Sequence, residues 1–151
     1  MWKLLVFLLL IPNLAYSEPY VKQIRDSKHW QSVYATRIGL VGNTTASGEV
    51  IDKQDVFVAL PHKKALGKTV VLKYGNRTVI CEVLDIGPHS LRDDYWKHGR
   101  RPLAEQGRRL PSRWGRAKNK AGIDLSDGLW ALLGLDRKSG MIKISWKFME
   151  S

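Results

Sequence analysis

The sequence predicts a mainly β domain that closes into a small barrel, with one or two short helices and a long basic loop. Three observations carry this. Thr69 to Tyr74 (TVVLKY) and Thr78 to Asp85 (TVICEVLD) are β-branched runs flanking Gly75, Asn76 and Arg77, the composition of a tight hairpin. Near the C-terminus, Ile142, Ile144, Trp146 and Phe148 alternate with Lys143, Ser145 and Lys147, the period of a half-buried strand. Only Ser126 to Gly134 (SDGLWALLG) reads as a helix, and many short strands with one helix suit a closed barrel.

In chain order, Lys3, the apolar run LLVFLLLI and the small residues of Ala15-Tyr16-Ser17 form the pattern of a secretory signal peptide over residues 1–17. The run is short and ends at Pro12, so no membrane anchor is expected to survive cleavage. The mature chain is expected to start at Glu18, with an N-terminal arm over 18–33 and one domain over 34–151, periplasmic or secreted and monomeric. No cysteine near the junction could carry lipid. Cys81 is the only cysteine, so packing rather than an internal disulfide must hold an exported fold. Its alternation with Val79 and Val83 marks it as a buried strand residue.

VYATRIGLVG and EVIDKQDVFVAL supply two further β-like runs, with Asn43 and Gly48 as turn residues. In the helical segment Ser126 can cap the free amides, Asp127 suits the positive helix end, and Gly134 can end it. Leu129, Trp130, Leu132 and Leu133 cover much of the circumference, so the helix should plug one end of the β core.

The net charge of +11 falls by one when Lys3 leaves with the signal peptide. Such a surface seeks polyanions: cell-wall polymers, acidic lipid or extracellular nucleic acid. Much of the charge lies between His89 and Ala121, where ten Lys or Arg residues face three acids and Tyr95, Trp96 and Trp114 are interleaved. This stretch lacks a period of 2 or 3.6 and is expected to be a long ordered loop that grips substrate.

Three short segments offer acids beside turn residues: TASGE ending at Glu49, LDIGP around Asp85, and AGIDLS around Asp124. A carboxyl at a strand end can be partly desolvated, which raises its pKa toward that of a general acid. In this order and spacing, from about Tyr34 to Phe148, the three segments resemble the double-psi β-barrel of rare lipoprotein A-like proteins, a six-stranded fold shared with expansins and certain lytic transglycosylases. The resemblance implies an exported lytic transglycosylase, in which a carboxylic acid protonates the leaving oxygen of a peptidoglycan strand and the muramic acid 6-hydroxyl closes to a 1,6-anhydro end.

It places the catalytic acid at Asp124, a second acid at Asp85 and a third at Glu49. It implies substrate contacts from Thr45, Ser47, Gly48, Asp52, Gly87, Pro88, His89 and Ser126, to which the loop would add Tyr95, Trp96 and Arg100. The chain departs from the common family pattern at Leu84, Ile86 and His89, where many members carry Asn, Arg and Phe. No cofactor is expected, and His29, His62, His89 and His98 show no close zinc-ligand spacing. The alternative is a non-catalytic, expansin-like binder of cell-wall polysaccharide. A third reading, a cationic binder of nucleic acid or anionic membrane, would need only the basic loop.

Overall fold

The computed structural model describes residues 7–9, 30–107, 110 and 116–149. Among the described residues seven strands and one α-helix follow in order: β1 (Phe7–Leu9), β2 (Gln31–Arg37), β3 (Phe57–Leu60), β4 (Thr69–Tyr74), β5 (Arg77–Ile86), β6 (Ile123–Leu125), α1 (Asp127–Leu132) and β7 (Ile142–Phe148). Six strands close on themselves in the order β5, β3, β6, β2, β7, β4, with β4 returning to β5. Closure removes the free edges that an open sheet would expose. The expected hairpin is β4 and β5, in which Tyr74 faces Arg77 across the Gly75-Asn76 turn.

Two contacts in the ring are parallel, β2 with β6 and β3 with β5. These bring residues far apart in sequence side by side, which a hairpin cannot do. The first half of β5 has a third neighbour, since β1 pairs antiparallel with Thr78 to Ile80. Most of the segment expected to be a signal peptide lies outside the described residues.

Alternation along the strands fills the barrel. Val33, Ala35, Val58, Leu60, Val70, Leu72, Val79, Cys81, Val83, Ile123, Leu125, Ile144 and Trp146 form one buried cluster. The Cys81 thiol is fully enclosed there, and desolvation drives its pKa far up, so it serves as a core residue.

Helix α1 plugs one end as expected, burying Leu129, Trp130 and the following Leu133. The Ser126 hydroxyl accepts from the amides of Leu129 and Phe57 and donates to the Asp55 carbonyl. Gly128 lies so close to the 54–55 backbone that a Cβ would stand 2.5 Å from two carbonyl oxygens, so only glycine fits. No helix of the described residues is long and apolar enough to cross a membrane.

The basic stretch from 89 to 107 is a folded part of the barrel wall rather than a projecting grip. Buried Asp93 receives the Leu103 amide at 2.8 Å and the Arg100 guanidinium at 2.7 Å, and its own amide donates to Pro61 beyond β3. Tyr95 is fully buried, donating to the Gly122 carbonyl and accepting from the Trp146 indole. Trp96 packs edge-on against Tyr95, Trp146 and Phe148. These rings close the second end of the core, because a barrel of this size needs bulk at both openings.

Candidate functional site

The site is built by strand register. Thr36 on β2 faces Asp124 on β6, Asp124 faces Ala59 on β3, and Ala59 faces Asp85 on β5. Directly opposed residues share a face of the sheet. The four form one row across four strands, on the outer side of the barrel because their neighbours Ala35, Val58, Leu60, Ile123 and Leu125 point inward. The row floors an open groove of about 490 Å³, walled by Ile38, Leu40, the 86–91 corner, Leu110, Arg116, Lys118 and Asn119.

Asp85 reaches this row through a β-bulge. Val58 pairs with Val83, but the next residue, Ala59, pairs with Asp85 rather than Leu84. An unbroken ladder would have turned Asp85 toward the core, since a one-residue slip flips a side chain to the other face. The extra residue Leu84 instead joins Ile51 and Phe57 in a small cluster on the outer surface. Asp85 is held there by the Ala46 amide at 2.9 Å, and the Ser47 amide donates to the Leu84 carbonyl. The TASGE segment thus positions Asp85 through its backbone.

Asp124 is the most perturbed carboxyl of the groove. Burial pushes its pKa from 3.8 up to about 6, against the opposing pull of the Thr36 hydrogen bond and the His89 ring, with Asp85 adding a smaller push upward. Thr36 Oγ1 donates to Oδ1 at 2.5 Å. That leaves Oδ2 as the oxygen to carry the proton. Oδ2 faces Gly87, whose φ of +149° excludes most side chains and whose missing Cβ would lie 3.7 Å from that oxygen. Gly87, Pro88 and His89 line the groove, and His89 also contacts the Asn119 amide oxygen at 2.9 Å.

The remaining expected site residues separate from this row. Glu49 faces Glu82, whose carboxyl is raised first by burial and then by the Glu49 charge, and it does not line the groove. Thr45 is buried, sharing a hydrogen bond with Ser47 and receiving the Glu49 amide, while Gly48 sits at the turn with φ of +93°. Asp52 caps its own turn, accepting from the Gln54 amide. Ser126 is committed to the helix cap, Tyr95 has no surface to offer, Trp96 packs into the aromatic cluster and Arg100 is bound to Asp93. None of these residues lines the groove, and Thr45, Tyr95 and Ser126 are buried. Trp114, Arg108 and Arg109 lie outside the described residues.

The sequence reading missed Thr36, Ala59, Leu40, Arg116, Lys118 and Asn119. Leu40 is 60% exposed on the rim and has a positive φ of 53°, unusual for a residue with a side chain. Only the charge density of the long loop pointed toward Arg116 and Lys118. Among the described residues no three His, Cys, Asp or Glu side chains group as a metal-binding set.

The closed six-stranded ring, with its two parallel contacts and outward acid row, defines a double-psi β-barrel protein with a carboxyl-floored groove. Among solved structures it is similar to the Streptomyces papain inhibitor, with a TM-score of 0.51 and 20% identity over 82% of this chain and 96% of that one. The chain belongs to the family described as a domain of unknown function (DUF8814), which matches residues 22–113 and so includes Asp85 but stops short of Asp124.

An expansin of Clavibacter michiganensis gives a TM-score of 0.49 at 19% identity, covering 81% of this chain and 51% of that one. A point mutant of that expansin in complex with cellohexaose gives 0.49 at 17%, with coverage of 80% and 50%. This chain thus spans about half the length of those expansins. No curated protein matches the sequence.

Proposed function

We propose that the protein is an exported cell-wall protein that binds a polysaccharide strand in the groove and cleaves it, with Asp124 as the proton donor. Fold likeness does not decide activity. The reading rests on one observation: a carboxyl on the groove floor whose pKa burial raises to about 6, with one oxygen taken by Thr36 and the other beside Gly87.

Such an acid can protonate a glycosidic oxygen as the bond to the anomeric carbon breaks. Asp85, two inter-strand spacings away or roughly 9–10 Å between Cα positions, suits stabilisation of the positive charge better than attack on it. The sugar's own 6-hydroxyl would then close on the anomeric carbon and release its proton to the Asp124 carboxylate, giving a 1,6-anhydro end without water. This is the lytic transglycosylase reaction of rare lipoprotein A-like proteins. The non-catalytic alternative uses the same groove and the same residues without turnover.

Incubating the protein and its Asp124→Asn form with purified peptidoglycan, then weighing the soluble products by mass spectrometry, separates the two. Anhydro-ended fragments from wild type alone are expected. Equal binding by both proteins with no fragments from either would leave a binding module, and no binding by either would end the polysaccharide reading.

A further inference from the structure

A second cleft of about 440 Å³ lies beside helix α1, walled by Lys53, Val56, Leu135 and Arg137, and Arg37 lines both it and the acid-floored groove. Arg37 is held at the junction by a 2.6 Å ion pair with Asp127, whose other oxygen takes Arg137 at 3.3 Å. Two guanidinium groups on one carboxylate leave a net positive charge there. Among the described residues Lys53, in the second cleft, and Arg116 and Lys118, on the wall of the first, have no carboxylate partner. Both openings thus carry cations, with Asp127 between Arg37 and Arg137 and with Asp85 and Asp124 in the first.

We propose that the two clefts form one track, continuous past Arg37, that takes a carboxylate-bearing polysaccharide, with its acid groups lying on either side of the Asp124 floor. This deepens the polysaccharide reading above and rests on it. No Phe, Tyr or Trp ring lines the first groove among the described residues, so sugar stacking contributes little there and charge is the main source of affinity. The floor acids would repel an anion placed over them, which sets the substrate's carboxylates to the flanks. A nucleic acid fits less well, because single strands rely on exposed rings for base stacking and carry a phosphate at every step.

The test uses titration calorimetry of the full chain with oligogalacturonides of graded length and with their methyl esters, which keep the sugars and remove the charge. At 50 mM salt the acid form of long chains is expected to bind about ten-fold more tightly than the ester. The preference should shrink at 300 mM, since screening acts over about 10 Å at 0.1 M. The double variant Lys53→Ser with Arg137→Ser should weaken long acid chains several-fold and leave chains too short to span both clefts unchanged.

Equal binding of acid and ester overturns the anionic track and spares the polysaccharide reading, and no binding of either also overturns the track, the polysaccharide reading then standing or falling on the peptidoglycan assay. A double variant that matches wild type on long chains, or weakens short chains equally, overturns the continuity. Competition by single-stranded DNA at equal charge concentration would make the track a general polyanion surface and overturn the assignment.

Discussion

The two ends of the 89–121 stretch offer an instructive contrast. Its first half brings Asp93, Tyr95, Trp96 and Arg100 together, and all four are used up internally: a buried ion pair, a tyrosine bridged between a carbonyl and an indole, and a ring stack. Its last part, from Arg116 to Asn119, walls the groove and has charge to spare. Arginine thus serves as bolt in one place and as binding surface in the other. The difference lies in what each segment packs against. The first covers the mouth of an apolar barrel, while the second borders a polar row on its outside.

Several substitutions would break or sharpen this contrast. The largest effect is expected on the groove side, where Asp124→Asn should lower product formation roughly 100- to 10,000-fold while wall binding stays near wild type. On the other side, Arg100→Ser leaves Asp93 as a buried carboxylate without its counter-charge and should cost about 3 kcal/mol in urea denaturation, with the affinity of the folded protein for wall material unchanged. This reverses the sequence expectation that Arg100 binds substrate. A loss of affinity at unchanged stability would restore it.

Asp124 also predicts a pH effect. Its folded pKa of about 6 lies above its unfolded value near 3.8, so the native state binds the proton more tightly. Stability from this group is fully present below about pH 4, is lost as pH rises from about 4 to 6 and is flat above, a span of roughly 3 kcal/mol. Urea midpoints of wild type and Asp124→Asn across pH 4 to 8 should diverge in that window, and turnover should fall above pH 6. Parallel curves would show that the carboxyl is not perturbed.

Tyr95→Phe strands one acceptor and one donor and should cost about 2 kcal/mol without touching turnover. Glu49→Gln should be the mildest, changing turnover by less than about two-fold, because the side chain faces Glu82. A turnover loss as deep as that of Asp124→Asn would return Glu49 to the catalytic set.

Local chemistry was legible from the chain. The Gly75-Asn76 hairpin, the Ser126 cap, the alternating β7 and the buried Cys81 each depend on neighbours in sequence and stand as read. The acid pair was legible as residue types, because Asp85 and Asp124 close apolar runs. Their alignment was not, for it depends on Ala59 lying between them and on the bulge at Leu84, both set by pairings across distant segments. Burial of Tyr95 was hidden for the same reason: only the barrel mouth, made by residues fifty positions away such as Trp146, turns a tyrosine among arginines into a core residue.

The bulge has an evolutionary consequence. β5 carries one residue more than β3 needs, and that residue, Leu84, packs with Ile51 and Phe57 while its carbonyl gives the 45–49 loop a backbone anchor at Ser47. A sequence lacking Leu84 would restore the plain ladder and still set Asp85 opposite Ala59, losing only the anchor. One codon therefore separates the loop's docking from the alignment of the acids.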